Sequence, residues 1–157
     1  MSLPPFQHLL DAHGRDVHRF LVASVGPVDA DDCYQEAWIA ALRAYPRLPE
    51  DSNLRGWILT IAHRKAIDHF RSAGREAIPA GDDLAEQAAV PPARAFGDED
   101  LWAQVRALPP KQRTALALRF VLDAAYAEIA AAMGTSEDAA RRNVHEGLKR
   151  LRTEYRR

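Results

Sequence analysis

NLRGWILTIAHRKAIDHFRSAGR, residues 53–75, is the stretch whose reading decides the fold of this chain. Leu54, Trp57, Ile58, Ile61 and Ile67 to Phe70 recur at helical spacing, and Lys65 interrupts the stripe where an aliphatic stem can lie along apolar surface. Arg55, His63, Arg64, Arg71 and Arg75 fall largely off that stripe and give the other side a basic character. One face is built to bury, the other to meet negative charge. Asn53 is placed to cap the helix, because its side chain can accept from an amide of the first turn that lacks a backbone partner. Gly74 is placed to stop it. Taken alone, the stretch is also satisfied by an ordinary amphipathic helix with a solvated basic face. The sequence on either side has to choose.

Upstream, residues 6–24 predict a first helix, with Phe6, Leu9, Leu10, His13, Val17, Phe20 and Leu21 on one side. Gly26-Pro27 ends it, since proline removes a donor and glycine tolerates a reversal. Asp29 is expected to cap a second helix, DADDCYQEAWIAALRAY, with Asp31 and Asp32 favourable in its first turn. Its buried side is expected to hold Cys33, Ala37, Trp38, Ala41, Leu42 and Tyr45, and its polar surface Asp32, Gln35, Glu36 and Arg43. Pro46 and Pro49 break the chain before the Asn53 helix. Three helices, each with one apolar face and short connections, must pack as a compact bundle.

Downstream the character changes. Residues 76–97 hold three prolines and two glycines, few large apolar side chains and an acidic bias, which reads as a linker with room for one helical turn around Leu84 to Ala89. Asp98 to Asp100 then favour a helix start, and Pro109-Pro110 stops that helix and begins the next. A short helix from Tyr126 to Met133, a turn at Gly134 and a longer helix from about Ser136 follow. Ala130 permits close approach, Gly134 the left-handed backbone, and Ala140, Val144, Leu148 and Leu151 face a core. That is the shape of a helix-turn-helix. A generic helical hairpin is the plainer alternative.

At 157 residues and 47% hydrophobic content the chain suits one ordinary domain or two small ones. The net charge of −1 hides a segregation: nine Lys/Arg against nine Asp/Glu over residues 1–75, one against seven over 76–100, and eleven against six over 101–157. No apolar run reaches the roughly 18 residues of a membrane span and no signal-peptide pattern opens the chain, so a cytoplasmic location without membrane insertion is expected. The single cysteine, Cys33, excludes an internal disulfide and disfavours a thiolate metal cluster. The six histidines form no i, i+4 pair, and HExxH, CxxC, GxSxG and phosphate-binding glycine patterns are missing, so neither catalytic residues, nor a metal, nor a cofactor is expected. Nucleic-acid binding is better supported: Arg141, Arg142 and His145 lie on the outer side of the longer helix, followed by Lys149, Arg150, Arg152, Arg156 and Arg157. Such groups contact phosphates, and arginine can also read guanine in the major groove.

With both halves in view, the chain resembles a small sigma factor of bacterial RNA polymerase, of the extracytoplasmic-function type. DADDCYQEAW and LRGWILTIAHRKAIDHFR are similar to the family's second region, and LPPKQRTALALRF followed by YAEIAAAMGTS to its fourth. The resemblance runs from about His8 to Arg152. It implies that Asp32, Gln35 and Glu36 dock on the clamp coiled coil of core polymerase. It implies too that Asn53, Arg55, His63, Arg64 and Arg71 capture the single-stranded minus-ten element. Ser136, Arg141, Arg142, His145 and Lys149 would enter the major groove of the minus-thirty-five element. An anti-sigma protein is the expected inhibitor. Some positions depart from the family: Arg64 stands where asparagine is usual, Ala139-Ala140 replace Thr-Val, and Asn143 and Glu146 replace frequent arginines.

The expectation is therefore an all-α protein of two small helical domains, residues 1–75 and 98–157, joined by an acidic, proline-containing linker over 76–97. It would act as a monomer that binds core polymerase and promoter DNA. A stand-alone helix-turn-helix regulator and an interaction module without DNA are the rival readings.

Overall fold

The computed structural model describes residues 3–73 and 98–155, so the linker, Gly74, Arg75 and the last two arginines lie outside the described residues. The described residues are helical, with no strand among them: α1 (Phe6–Val25), α2 (Pro27–Ala44), a short 3-10 turn (Tyr45–Arg47), α3 (Leu54–Ala73), α4 (Asp98–Arg106), α5 (Pro110–Phe120), α6 (Tyr126–Met133) and α7 (Glu137–Tyr155). Among them no helix is long and apolar enough to cross a membrane.

α1, α2 and α3 pack on one another as the periodicity requires. Leu9, Val17, Phe20 and Leu21 of α1 meet Cys33, Trp38 and Ala41 of α2 and Ile58, Leu59 and Ala62 of α3, all buried. The open end is closed by edge-on aromatic rings, Phe6 on Trp38 (5.7 Å between centroids) and on Tyr45 (5.3 Å). Asn53 does cap α3: its Oδ1 accepts from the Gly56 amide at 3.2 Å.

Two expectations for α2 need correction. The helix starts at Pro27, directly after Gly26 (φ +93°), so Asp29 lies in the first turn and does not cap it, and Asp31 and Asp32 fall beyond that turn. Proline at the first helical position has the right φ and no amide to satisfy, which moves the cap three residues upstream, from Asp29 to Gly26. Leu42, placed on the buried side, is 55% exposed. Ala41, its neighbour, takes the core position, and the small side chain lets α2 lie close.

In the second half, Pro110 opens α5 as expected, and the N–H of Gly134 (φ +68°, ψ +40°) closes α6 by donating to Ala130 and Ala131 carbonyls. The next amide, Thr135, also donates to the Ala130 carbonyl, at 2.9 Å. Ser136 Oγ accepts from the Ala139 amide at 3.0 Å and so caps α7. Leu116 and Leu118 of α5, Ile129 of α6 and Ala140, Val144 and Leu151 of α7 fill the core between them. The helix-turn-helix geometry is thus set by a left-handed glycine and a serine cap two residues apart.

The two halves also touch: α3 packs on α6, and α1 on α4 and α5. Gly134→Ala should lower the urea midpoint by an amount corresponding to about 1 kcal/mol, because a Cβ is disfavoured in the left-handed region although nothing crowds it here. Gly134→Asn should cost less, and comparing the two urea curves checks that backbone strain is the cause.

Candidate nucleic-acid interface

The basic side of α3 is partly spent inside the protein. Arg55, in the first turn, reaches across to the other half: Nη1 donates to Glu128 Oε2 of α6 at 3.0 Å, and Nη2 to the Leu122 carbonyl at 3.2 Å. Asp16 of α1 lies 3.8 Å from the same guanidinium, and all three side chains are about a third exposed. Glu128 is doubly used, since its other oxygen accepts from the Ala125 amide at 3.0 Å.

At the opposite end of α3, the guanidinium of Arg113 (α5) lies 3.5 Å over the centre of the Phe70 ring. Arg113 is 4% exposed, and its Nη1 donates to the Arg106 and Leu108 carbonyls at 3.1 and 3.3 Å. Between these two arginines sits His63, whose pKa falls to about 4, first because it is buried and then because Arg113 and Arg64 face it. His13 of α1 is lowered likewise by burial and by Arg55, against the opposing pull of Asp16.

Of the five candidate minus-ten residues, only Arg64 and Arg71 present exposed, cationic side chains alongside the cap residue Asn53. His63, Arg64 and Arg71 line a polar cleft of about 290 Å³ with Thr60 and Asp68. Its far wall is the end of α6, Ala131 to Gly134.

α7 is more open. Arg142, His145 and Lys149 are exposed at a spacing that shares one face, with Ser136 at its cap. Arg141 is partly committed elsewhere: it bonds Asp138 at 3.4 Å and lies 4.7 Å from the Tyr126 ring centre, which Arg119 also approaches to 4.6 Å. Glu146, four residues after Arg142, is exposed with them and lowers the positive potential of that face.

On α2, Asp32, Gln35 and Glu36 are exposed as expected. Three apolar residues stand beside them that the sequence reading did not assign to a surface: Val28 (86% exposed), Ile39 (48%) and Leu42 (55%). Val28, Asp32, Gln35, Ile39 and Leu42 follow a 4-3-4-3 spacing, the seam pattern of helices that pair with another helix. That spacing was present in the sequence, but the core stripe of the same helix overshadowed it.

Among the described residues no group of three His, Cys, Asp or Glu could hold a metal ion. Cys33 is buried, and burial together with Glu36, Asp29 and Asp32 pushes its thiol up to about 11, far from a reactive thiolate.

Comparison with known proteins matches the chain to a family. Residues 9–76 match the model of sigma-70 region 2, and residues 98–151 that of sigma-70 region 4. The chain is 30% identical to the ECF RNA polymerase sigma factor SigX of Bacillus subtilis, over 94% of this chain and 81% of SigX. It is 33% identical to the ECF sigma factor SigD of Mycobacterium tuberculosis, over 88% of this chain and 71% of SigD. The fold is shared with the sigma factor RpoE of Bartonella quintana, solved with the anti-sigma factor NepR (TM-score 0.73, 22% identity, 96% of each chain). It is shared too with CnrH, solved with the cytosolic domain of CnrY (TM-score 0.67, 22% identity, 94% and 85% of the two chains).

The half-buried His63 makes a pH prediction. Its folded pKa of about 4 lies below the ordinary 6.5, so the unfolded chain takes up the proton first as pH falls. This residue's contribution to stability is therefore fully present above pH 6.5 and is lost progressively as pH drops towards 4. NMR titration should place the His63 ring resonance near pH 4, and His63→Asn should flatten the dependence of the urea midpoint over that window.

Proposed function

Because this chain belongs to the extracytoplasmic-function sigma factors, which direct transcription initiation through RNA polymerase, we propose that three of its helix faces each serve one step of that task. The observation that carries the proposal is their separation: an acid-and-apolar face on α2, a basic face on α3 and a basic face on α7 occupy different helices and point to different chemistries.

The α2 face docks on the clamp coiled coil of the polymerase. Asp32, Gln35 and Glu36 supply polar register, and Ile39 and Leu42 supply the apolar contact that a helix-on-helix seam needs. The α3 face captures the unpaired minus-ten strand. Arg64 and Arg71 neutralise its backbone, the cleft beside them suits a splayed base, and Asn53, Arg55 and His63 border that path. The α7 face enters the major groove of the minus-thirty-five element, with Arg142, His145 and Lys149 outermost and Ser136 and Arg141 at the leading end. Residues 1–75 and 98–157 thus act as the two promoter-binding domains, with 76–97 linking them.

The charge balance sets how these parts cooperate. A net charge of −1 gives little general attraction to duplex DNA, so the polymerase supplies most of the grip and the protein acts as a monomer within that complex. It works where the polymerase is, in the cytoplasm. An anti-sigma protein is the natural inhibitor, supported by the similar fold of RpoE solved with the anti-sigma factor NepR.

Run-off transcription with core polymerase on a promoter library tests the whole assignment. Wild type should yield promoter-specific transcripts, and Gln35→Ala/Glu36→Ala or Ile39→Ala/Leu42→Ala should reduce them about tenfold, as expected for losing 1–2 kcal/mol of contact. Transcripts unchanged in both double mutants would remove α2 from the docking role. In the holoenzyme, Lys149→Ala should weaken promoter binding across sequences and lower the salt slope by about one, whereas Arg142→Ala should also relax base preference.

A further inference from the structure

α4, α5 and α7 do not close completely on one another. Gly147 lets α7 lie so near α5 that a Cβ there would come within 2.9 Å of the Leu116 side chain. Beside that close approach, the short helix α4 leaves an apolar cavity of about 400 Å³ between the three. Val105, Leu116 and Leu151 are buried beneath it, half-buried Trp102 stands in its wall, and Phe120 lies at its rim, 56% exposed. Apart from Arg152, the described side chains that line it are apolar. None of the residues assigned above to polymerase or promoter belongs to that lining.

We infer that this cavity is a binding site for a fatty acid, with the alkyl chain against Leu116 and Leu151 and the carboxylate on the guanidinium of Arg152. The inference goes beyond the promoter-binding roles and does not depend on them. Size, exposure and charge each support it.

The volume falls within the range of small-molecule sites, about 300–1,000 Å³. A slender alkyl chain can enter such a space, whereas a partner helix about 10 Å across would have to lie over it. Exposure points the same way. Phe120 is among the few large apolar side chains left in water, and it stands at the edge of a hollow already lined by apolar groups. An exposed apolar patch of this kind gains free energy when a ligand removes it from water.

Charge selects the head group. Arg152 is exposed and has no ion pair or hydrogen bond among the described residues, and no carboxylate among them lines the cavity. A guanidinium presents a planar fork of donors that matches a carboxylate. With apolar walls elsewhere, the ligand must carry its polarity at one end. A fatty acid meets that requirement, and a cationic amphiphile of the same length does not.

The test titrates the full chain with octanoate, decanoate and dodecanoate, each below its micelle concentration. Calorimetry should report one site per chain, with affinity rising about fourfold for each added methylene until the cavity is full. In NMR spectra of the same samples the indole N–H of Trp102 should move, while those of Trp38 in α2 and Trp57 in α3 should stay. Arg152→Gln should weaken dodecanoate about fivefold and narrow its advantage over dodecyltrimethylammonium. Phe120→Ala should weaken every chain length about fivefold and leave the head-group preference intact. Both positions are exposed, so neither variant threatens the fold.

The inference fails if affinity is independent of chain length, or if Arg152→Gln changes nothing. It fails if all three indole signals move together, as general detergent action would cause. It fails too if no carboxylate moves the Trp102 signal, an outcome that would leave the cavity to a side chain of a protein partner.

Discussion

Arg55 occupies the point at which the two halves of the molecule depend on each other. It stands in the first turn of α3, where the helix dipole already makes a positive charge unfavourable, and about two-thirds of its side chain is removed from solvent. A guanidinium in that position has to be given carboxylates or it would not stay. Asp16 offers one from within its own half, and Glu128 offers the other from beyond the linker, joined by the Leu122 carbonyl. Glu128 in turn sits in the first turn of α6, where a negative charge is favoured. The pair therefore places each charge opposite the helix terminus it needs, and the closed arrangement follows from satisfying both.

Arg113 acts by a different principle. It is more deeply buried than Arg55, and its partners are a ring face and two carbonyls, none of which carries a charge. Burial lowers its pKa, but a delocalised guanidinium keeps its charge at neutral pH and so polarises what surrounds it. His63 is the residue that registers this, since a second positive charge beside Arg113 would be repelled. Phe70 lies fifteen residues after Arg55, about 22 Å along the helix. Holding both ends of so rigid a rod aligns the whole of α3 with α6, which is why a cleft forms along its middle.

How much of this could be read in the sequence divides by range. Helices with long apolar periodicity, the Asn53 and Ser136 caps and the left-handed Gly134 are local matters, and each stands where spacing and turn chemistry place it. The start of α2 was misread because both Asp29 and Pro27 are good openers, and proline prevailed by its fixed φ. Leu42 was misread because an apolar residue flanking a core stripe is ambiguous until the partner helices are in place. The engagement of Arg55 and His63 had no local signal at all. Arg55 and Glu128 are 73 positions apart, and nothing in the periodicity of either helix announces a contact across a linker.

The physical arrangement also orders events in a way that composition cannot. α2 packs on α1 and α3 of its own half, so a helical partner can seat Ile39 and Leu42 while the two halves stay in contact. Apolar packing joins the halves as well, since Ile58, Leu59 and Ala62 of α3 belong to the same buried cluster as Ile129, Ala130 and Ala132 of α6.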